Sequence, residues 1–370
     1  MKRYIDHKGM RESNLRDVFS LIKKGEPITR KEIEAITGMS WGGVSGIMTS
    51  LTMGKYVVER KPEKSTGAGR TPFQIYVNGD DNFILGVEIN HMGLKASMIN
   101  MRGDELDRGE KPLTEITREH VLNAVFELIE EMLNRNINKN IIGIGVAMQG
   151  GIDRNTGVSL FFPNCGDWEN VEIRKILSDK FNLPVYLEHD PNCVLIAESE
   201  KQDIIENTIF IRLDKGVGMA VYEDGRIFHG ALEIAHMIVE PDGAACSCGG
   251  RGCLEMYASQ SGLERMTGMP FNKLVLKNDD ETRKIFRKMA EYLGIALSNA
   301  SRLFRPKYIV LSGEMTTAAD LFLDDLISVM QKYTFNKYSP EIVLSKIDSY
   351  GASYGAALIA LELLLAEIKI

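Results

Sequence analysis

The chain lacks the features that mark secreted, membrane or disordered proteins. Five cysteines in 370 residues are too few for a disulfide scaffold. No stretch reaches the roughly eighteen uninterrupted apolar residues of a membrane span. The most apolar stretch, the tail from Gly355 to Ile370, carries Glu362 and Glu367. The N-terminal residues, Met1 to Asn14, are polar and have no apolar core of the signal-peptide kind. There is no low-complexity tract, and 44% hydrophobic with 26% charged residues excludes a disordered chain. A globular, cytoplasmic protein with no membrane partner is expected, long enough for two or three cored domains.

What is present is unevenly distributed. Residues 1–79 hold fourteen Lys and Arg against eight Asp and Glu, a net charge of +6, so the formal net charge of −7 leaves −13 on the rest of the chain. A basic head on an acidic body points to a polyanion partner for the head alone. Three of the five cysteines fall between positions 246 and 253.

The head reads as three short helices and a hairpin. Leu15, Val18, Phe19 and Ile22 recur at helical spacing around 13–24, and Gly25 and Pro27 end that helix. Thr29 and Glu32 form a capping box for a second helix with Ile33 and Ile36 inward and Gly38 at its end. Ser40 caps a third helix whose Trp41, Val44, Ile47, Met48 and Leu51 make one apolar stripe, ended by Gly54. Strands at 56–60 and 74–77 flank a turn-rich Lys61–Pro72. This order is a winged helix-turn-helix, whose third helix enters the DNA major groove. The candidate DNA-facing residues are Ser40, Gly42, Gly43, Ser45, Gly46 and Thr49, with Arg70 on the wing tip. Glycines inside a helix cost roughly 1 kcal/mol each; small side chains here would let the backbone approach DNA closely. The face lacks the Arg, Asn or Gln that usually read base edges. The plainer alternatives are a small helical domain that binds protein, or a solvated basic face.

From Asn82 the pattern is α/β. Two passes of hairpin, long helix and strand begin near 83 and near 208 and suggest two lobes with a cleft between them. Cys246, Cys248 and Cys253, set among turn-permitting glycines, with His236 upstream, make a Cys3His set suited to tetrahedral zinc with no open position, hence structural. The alternative is three buried thiols around a core histidine.

The run Asp242-Gly243-Ala244-Ala245-Cys246-Ser247-Cys248-Gly249-Gly250-Arg251-Gly252-Cys253-Leu254-Glu255, preceded by Glu233-Ile234-Ala235-His236, resembles the signature of the ROK family of repressors, open reading frames and sugar kinases. The resemblance extends over the whole chain. It implies an N-terminal winged helix-turn-helix (1–79), then a two-lobed actin-like, ribonuclease H-like sugar kinase fold. The lobes would be 80–200 and 201–370, with the last helix returning to the first lobe. The family's zinc ligands correspond to His236, Cys246, Cys248 and Cys253. Its sugar contacts correspond to Asn164, Asp190, Glu233, His236 and Glu255, with His189 standing where the family usually has Asn. Asp190 matches the catalytic Asp that takes the proton of the sugar hydroxyl. The loop from Gly230 to Glu233 is shorter than is usual.

The phosphate loops depart from the kinases. Where these have Asp-x-Gly-Gly-Thr-Lys, this chain has Glu88-Ile89-Asn90-His91-Met92-Gly93. Gly-Thr-Gly-x-Gly becomes Asp214-Lys215-Gly216-Val217-Gly218, which sets a carboxylate where a phosphate would lie, with Lys215 able to offset part of its charge. The adenosine-side Gly-Gly becomes Ser312-Gly313. Three altered sites argue against ATP and Mg2+ as cofactors. The expectation is a sugar-responsive repressor of carbohydrate genes, with a degenerate kinase domain as its sensor. It would act on double-stranded operator DNA as a homodimer or homotetramer. An active ATP-dependent kinase of the glucose or N-acetylhexosamine type is the alternative, and a scaffold using its head for a protein partner is a third reading.

Overall fold

The computed structural model describes residues 7–62, 72–202, 206–230, 232–336 and 338–368, with side chains from residue 14 onward. The chain divides into two compact units, 1–193 with 349–370, and 194–348.

The first unit opens with α1 (His7–Gly25), α2 (Arg30–Thr37) and α3 (Trp41–Met53), followed by β1 (Val57–Arg60) paired antiparallel with β2 (Gln74–Val77). Thr29 and Glu32 make the reciprocal capping box, and Gly38 closes α2 with a left-handed backbone. The Ser40 side chain caps α3 by accepting the Gly43 N–H. Leu15, Val18, Phe19, Ile22, Ile33, Val44, Ile47, Met48 and Leu51 are buried together with Val57, Ile75 and Val77.

Two residues expected inward are not. Trp41 is 55% exposed and Ile36 63% exposed. Trp41 is the first residue of α3; a side chain there leans back past the helix start instead of over a preceding turn, so the helical stripe outruns the core. Ile36 lies in the last turn of α2, on a part of the helix that the core does not cover.

The head is tied to the rest of its unit by polar contacts. Asn82 Nδ2 donates to the Gly54 carbonyl at 2.8 Å, Arg102 Nη2 donates to the Val77 carbonyl at 3.0 Å, and Arg102 Nε lies 3.6 Å from Glu26 Oε1.

The body of this unit is a five-stranded sheet. Its strands are β3 (Asn82–Asn90), β4 (Gly93–Asn100), β5 (Glu105–Lys111), β6 (Asn140–Met148) and, after the small pair β7 (Gly151–Asp153) and β8 (Val158–Phe161), β9 (Val185–His189). Their order is β5-β4-β3-β6-β9, antiparallel across β5, β4 and β3 and parallel across β3, β6 and β9. The helices α4 (Arg118–Arg135) and α5 (Ile173–Phe181) contribute to one core with this sheet through Val121, Val125, Leu128, Ile129, Met132 and Leu177. Every residue of β3 is buried, as a central strand covered on both faces requires.

From β9 the chain passes into α6 (Asp190–Gln202), whose first turn belongs to the first unit and whose remainder opens the second. There the strand plan repeats: β10 (Thr208–Leu213), β11 (Val217–Glu223) and β12 (Arg226–Ile227), later β13 (Tyr308–Ser312) and β14 (Glu341–Leu344), ordered β12-β11-β10-β13-β14. The short helices α7 (Glu255–Ala258), α8 (Gln260–Thr267) and α9 (Phe271–Lys277), the long α10 (Asp280–Phe304) and α11 (Leu323–Lys332) cover it.

The last helix, α12 (Gly351–Glu367), lies on the first unit's sheet. Its small residues allow backbone contact: a Cβ on Gly86 would overlap the Ser353 carbonyl, and one on Gly145 the Ala356 carbonyl. Ser97 and Ser353 share a buried hydrogen bond of 2.8 Å. On another side α12 meets α1, with Arg16 Nη1 3.1 Å from Glu362 Oε1. The helix is almost entirely buried, which explains a tail apolar all round without a membrane. Among the described residues no helix is long and apolar enough to cross one.

Candidate functional site

Within the second unit, His236, Cys246, Cys248 and Cys253 present four ligand atoms that all lie within 4.8 Å of one another. Cys248 Sγ is 3.6 Å from Cys253 Sγ, and Cys246 Sγ is 3.6 Å from His236 Nδ1. These separations are far longer than a disulfide and match the edges, about 3.8 Å, of a tetrahedron with metal–sulfur bonds of about 2.3 Å. The cluster can bind a metal such as zinc.

The local backbone is built for it. Gly249 and Gly252 adopt positive φ, and a Cβ on Gly252 would overlap the Glu240 carbonyl. The Gly250 N–H donates to Cys248 Sγ at 3.4 Å, which holds that thiol below its ordinary pKa, aided by the neighbouring sulfurs. Burial and the same neighbours push Cys253 up to about 12; a metal ion bound by such a thiol favours the thiolate. The knuckle is anchored to α10, where the Tyr292 hydroxyl donates to Glu240 Oε2 at 2.6 Å, while Tyr257 OH accepts the Ala244 N–H at 2.8 Å.

Close to it in sequence, Glu255 opens α7 and accepts the Val217 N–H at 3.3 Å. That amide opens β11 directly after the turn from β10, within the second of the loops that differ from the kinases. Asp214, at the start of this turn, accepts from Arg212 Nε at 2.7 Å and from the Glu314 N–H at 2.5 Å. The latter amide opens the 3-10 segment Glu314–Leu321, a natural place for an anion. Lys215, expected to offset Asp214, instead pairs with Glu264 at 3.0 Å. Arg212 is the counter-charge, because it projects from β10 two residues before the carboxylate. Gly313 remains glycine for a steric reason: its φ is 96° and a Cβ would overlap the Leu213 carbonyl.

The first loop is capped in the same manner. Between β3 and β4, the His91 N–H donates to Gln149 Oε1 at 3.1 Å and the Met92 N–H to Asn90 Oδ1 at 2.9 Å. Neither Gln149 nor Glu314 had a sequence signal, since each acts across a distance set by the fold, whereas Arg212 is two residues from Asp214 and its pairing was missed.

Asn164, His189 and Asp190 lie on the first unit. Asp190 is buried at the first position of α6, where the helix dipole favours a carboxylate, and His189 Nε2 is 3.7 Å from its Oδ1. Glu188 orders this corner: its Oε1 accepts the His189 N–H and the Asn192 side chain, both at 2.9 Å, and Arg154 Nε lies 3.5 Å from its Oε2. Asn164 sits exposed, with φ of 62°, on a turn held by the Cys165 N–H donating to the Phe162 carbonyl and by Phe162 against Trp168. Glu233 is exposed on the second unit, where its carbonyl accepts the His236 N–H at 3.0 Å.

On the head, Ser40, Gly42, Gly43 and Thr49 are exposed, while Ser45 and Gly46 are half-buried. Ser45 Oγ accepts from Arg30 Nη1 at 3.4 Å, and Arg30 also pairs with Glu59. A Cβ on Gly42 would meet nothing within 4 Å, so the fold does not demand glycine there. Arg70 and residue 231 of the shortened loop lie outside the described residues.

With this geometry in place, comparison with known proteins gives the class. The ROK family model matches residues 84–362. The chain belongs to the ROK family, and within it to the transcriptional regulators. Over 92% of its length it is 27% identical to the xylose repressor of Caldicellulosiruptor bescii, covering 94% of that protein. Over 95% it is 25% identical to the DNA-binding transcriptional dual regulator NagC of Escherichia coli, covering 93% of that one. Among solved structures it resembles a ROK family transcriptional regulator homologous to the E. coli MLC protein (TM-score 0.86, 20% identity, 96% of this chain and 97% of that one). The ROK hexokinase of Thermus thermophilus matches 76% of this chain and 99% of its own, at 25% identity and TM-score 0.68. The body's fold is therefore shared with sugar kinases, while the likeness to regulators includes the head.

Proposed function

We propose that the protein is a sugar-responsive repressor of carbohydrate genes whose kinase-like body senses a sugar without using ATP. The observation that carries this reading is the capping of both phosphate loops, and of the segment that follows Gly313, by the chain's own side chains. His91, Met92, Val217 and Glu314 each donate a backbone N–H to Gln149, Asn90, Glu255 and Asp214 respectively. Phosphoryl transfer depends on such donors being turned toward the triphosphate, and these four are already satisfied.

The resemblance to the family supports Asn164, His189, Asp190, Glu233, His236 and Glu255 as the sugar contacts. Carboxylates, amide and imidazole suit vicinal hydroxyls, which both donate and accept. Zinc on His236, Cys246, Cys248 and Cys253 would be structural. With Nδ1 on the metal, His236 keeps Nε2 for a hydrogen bond, its ring fixed by the ligation. Full-length likeness to a xylose repressor and to NagC supports a pentose or an N-acetylhexosamine as effector.

The head, residues 1–79, would bind double-stranded operator DNA through Ser40, Gly42, Gly43, Ser45, Gly46 and Thr49, with Arg70 from the wing. Paired half-sites call for a homodimer or homotetramer. A sugar changes DNA affinity only by favouring one of two states. A route for that bias exists within the first unit: Asp190 opens α6, the first turn of α6 abuts α12, and α12 packs on α1 of the head.

An active kinase of the glucose or N-acetylhexosamine type is the second reading, favoured by one observation: Asp190 is retained and buried at a helix start. A coupled assay for ADP release over a sugar panel decides it. Turnover abolished by Asp190→Ala establishes a kinase; no turnover, with sugar-dependent DNA binding, supports the sensor.

A further inference from the structure

We propose that Trp41 reads thymine in the operator, its indole packing on the C5-methyl group at the floor of the major groove; this rests on the head being a DNA-binding domain. Trp41 has the spacing of a core residue, yet it is 55% exposed. It is the first residue of α3, directly after the Ser40 cap. In a helix-turn-helix the N-terminal residues of the second helix of the motif meet the base edges. The remaining face offers hydroxyls and glycines and no side chain able to make a bidentate base contact.

The surroundings suit close approach. Gly42 has open space beside it and Gly43 meets only Met39 and Ser40 at 3.5 Å, so nothing bulky follows the indole along the helix. The exposed ring at this point can still lose water-accessible apolar surface against a bound partner, which is favourable. The occupant that fits is duplex DNA, because the head carries +6 while the rest of the chain carries −13. In the major groove the one apolar group is the thymine methyl. Reading by methyl contact explains how a recognition helix without Arg, Asn or Gln on this face still distinguishes sequences.

The test uses the full-length protein and a duplex selected by it from a random library. Thymines of that duplex are replaced singly by deoxyuridine, which removes only the methyl. Replacement within each half-site at the contacted thymine should weaken wild-type binding by about fourfold, the worth of one buried methyl-sized group. Trp41→Ala should bind the thymine and deoxyuridine duplexes equally and keep the wild-type salt dependence, since phosphate contacts are untouched. Trp41→Phe should retain part of the discrimination, which separates methyl reading from loss of folding. Uniform wild-type binding to every deoxyuridine duplex overturns the proposal, as does unchanged discrimination in Trp41→Ala. Failure to select any duplex, with no salt-sensitive retention of DNA, overturns the DNA-binding reading as well.

Discussion

Gly355 of α12 lies against the Cys193 carbonyl so closely that a Cβ on the glycine would overlap that oxygen. Cys193 is in the first turn of α6, three residues after Asp190. The helix that reaches the head therefore touches the backbone of the turn that begins at Asp190, with no side chain between them to absorb a shift.

Gly355→Ala tests this contact. The added methyl forces α12 off its seat, at a cost of about 1–3 kcal/mol for overpacking, measured by urea unfolding. The sugar response of DNA binding should weaken with it. A variant of wild-type stability and response would show that α12 is not a rigid link.

Metal removal gives a second outcome. One zinc per chain should be released by a thiol reagent, and both chelation and Cys248→Ser should lower the melting temperature, because a metal held by four ligands of this short loop contributes its binding free energy to folding. Metal analysis and a thermal melt check this. Unchanged melting after complete metal loss would contradict a structural role.

Asp214 acts as an internal anion. Asp214→Ala leaves Arg212 and the Glu314 amide without this acceptor, which costs about 1–3 kcal/mol. Added sulfate or phosphate should restore part of the loss in the variant and have little effect on wild type, read as melting temperature against anion concentration. Equal anion effects on both proteins would contradict the assignment.

Glu198 makes stability depend on pH. It is buried on α6, where Gln202 and Ser345 donate hydrogen bonds to it, and burial raises its pKa above the usual 4.5. The folded state therefore holds this proton to higher pH than the unfolded one. Its contribution to stability falls as pH rises from the unfolded value through the folded one, and stays low above both. Glu198→Gln should raise the melting temperature at pH 8 more than at pH 4, in buffers matched for ionic strength. An equal gain at both would contradict it.

Local chemistry was legible in the sequence. The Thr29–Glu32 box, the Ser40 cap and the clustered cysteines are each defined by residues a few positions apart, or by a short loop and one histidine. The repeated hairpin–helix–strand order also stood out, because β3 and β10 are continuous apolar runs. Trp41 and Ile36 misled because periodicity gives the face of a helix but not how far along it the core extends. The partners of Asp214 and Lys215 were illegible for another reason. Glu314 and Glu264 are far away in sequence, and only the folded chain decides which cation meets which carboxylate. Gly86, Gly145 and Gly355 had no periodic signal at all; their meaning is a helix backbone seated on a sheet or a neighbouring helix end.

The most direct test is DNA affinity of the full-length protein, by fluorescence anisotropy on a selected duplex, with xylose, N-acetylglucosamine and glucose added in turn and no ATP present. One sugar should change the affinity on the order of 5–150-fold. Asp190→Asn should bind the same DNA with the sugar effect gone. A protein whose DNA binding no sugar alters, or alters only when ATP is supplied and consumed, would contradict the account.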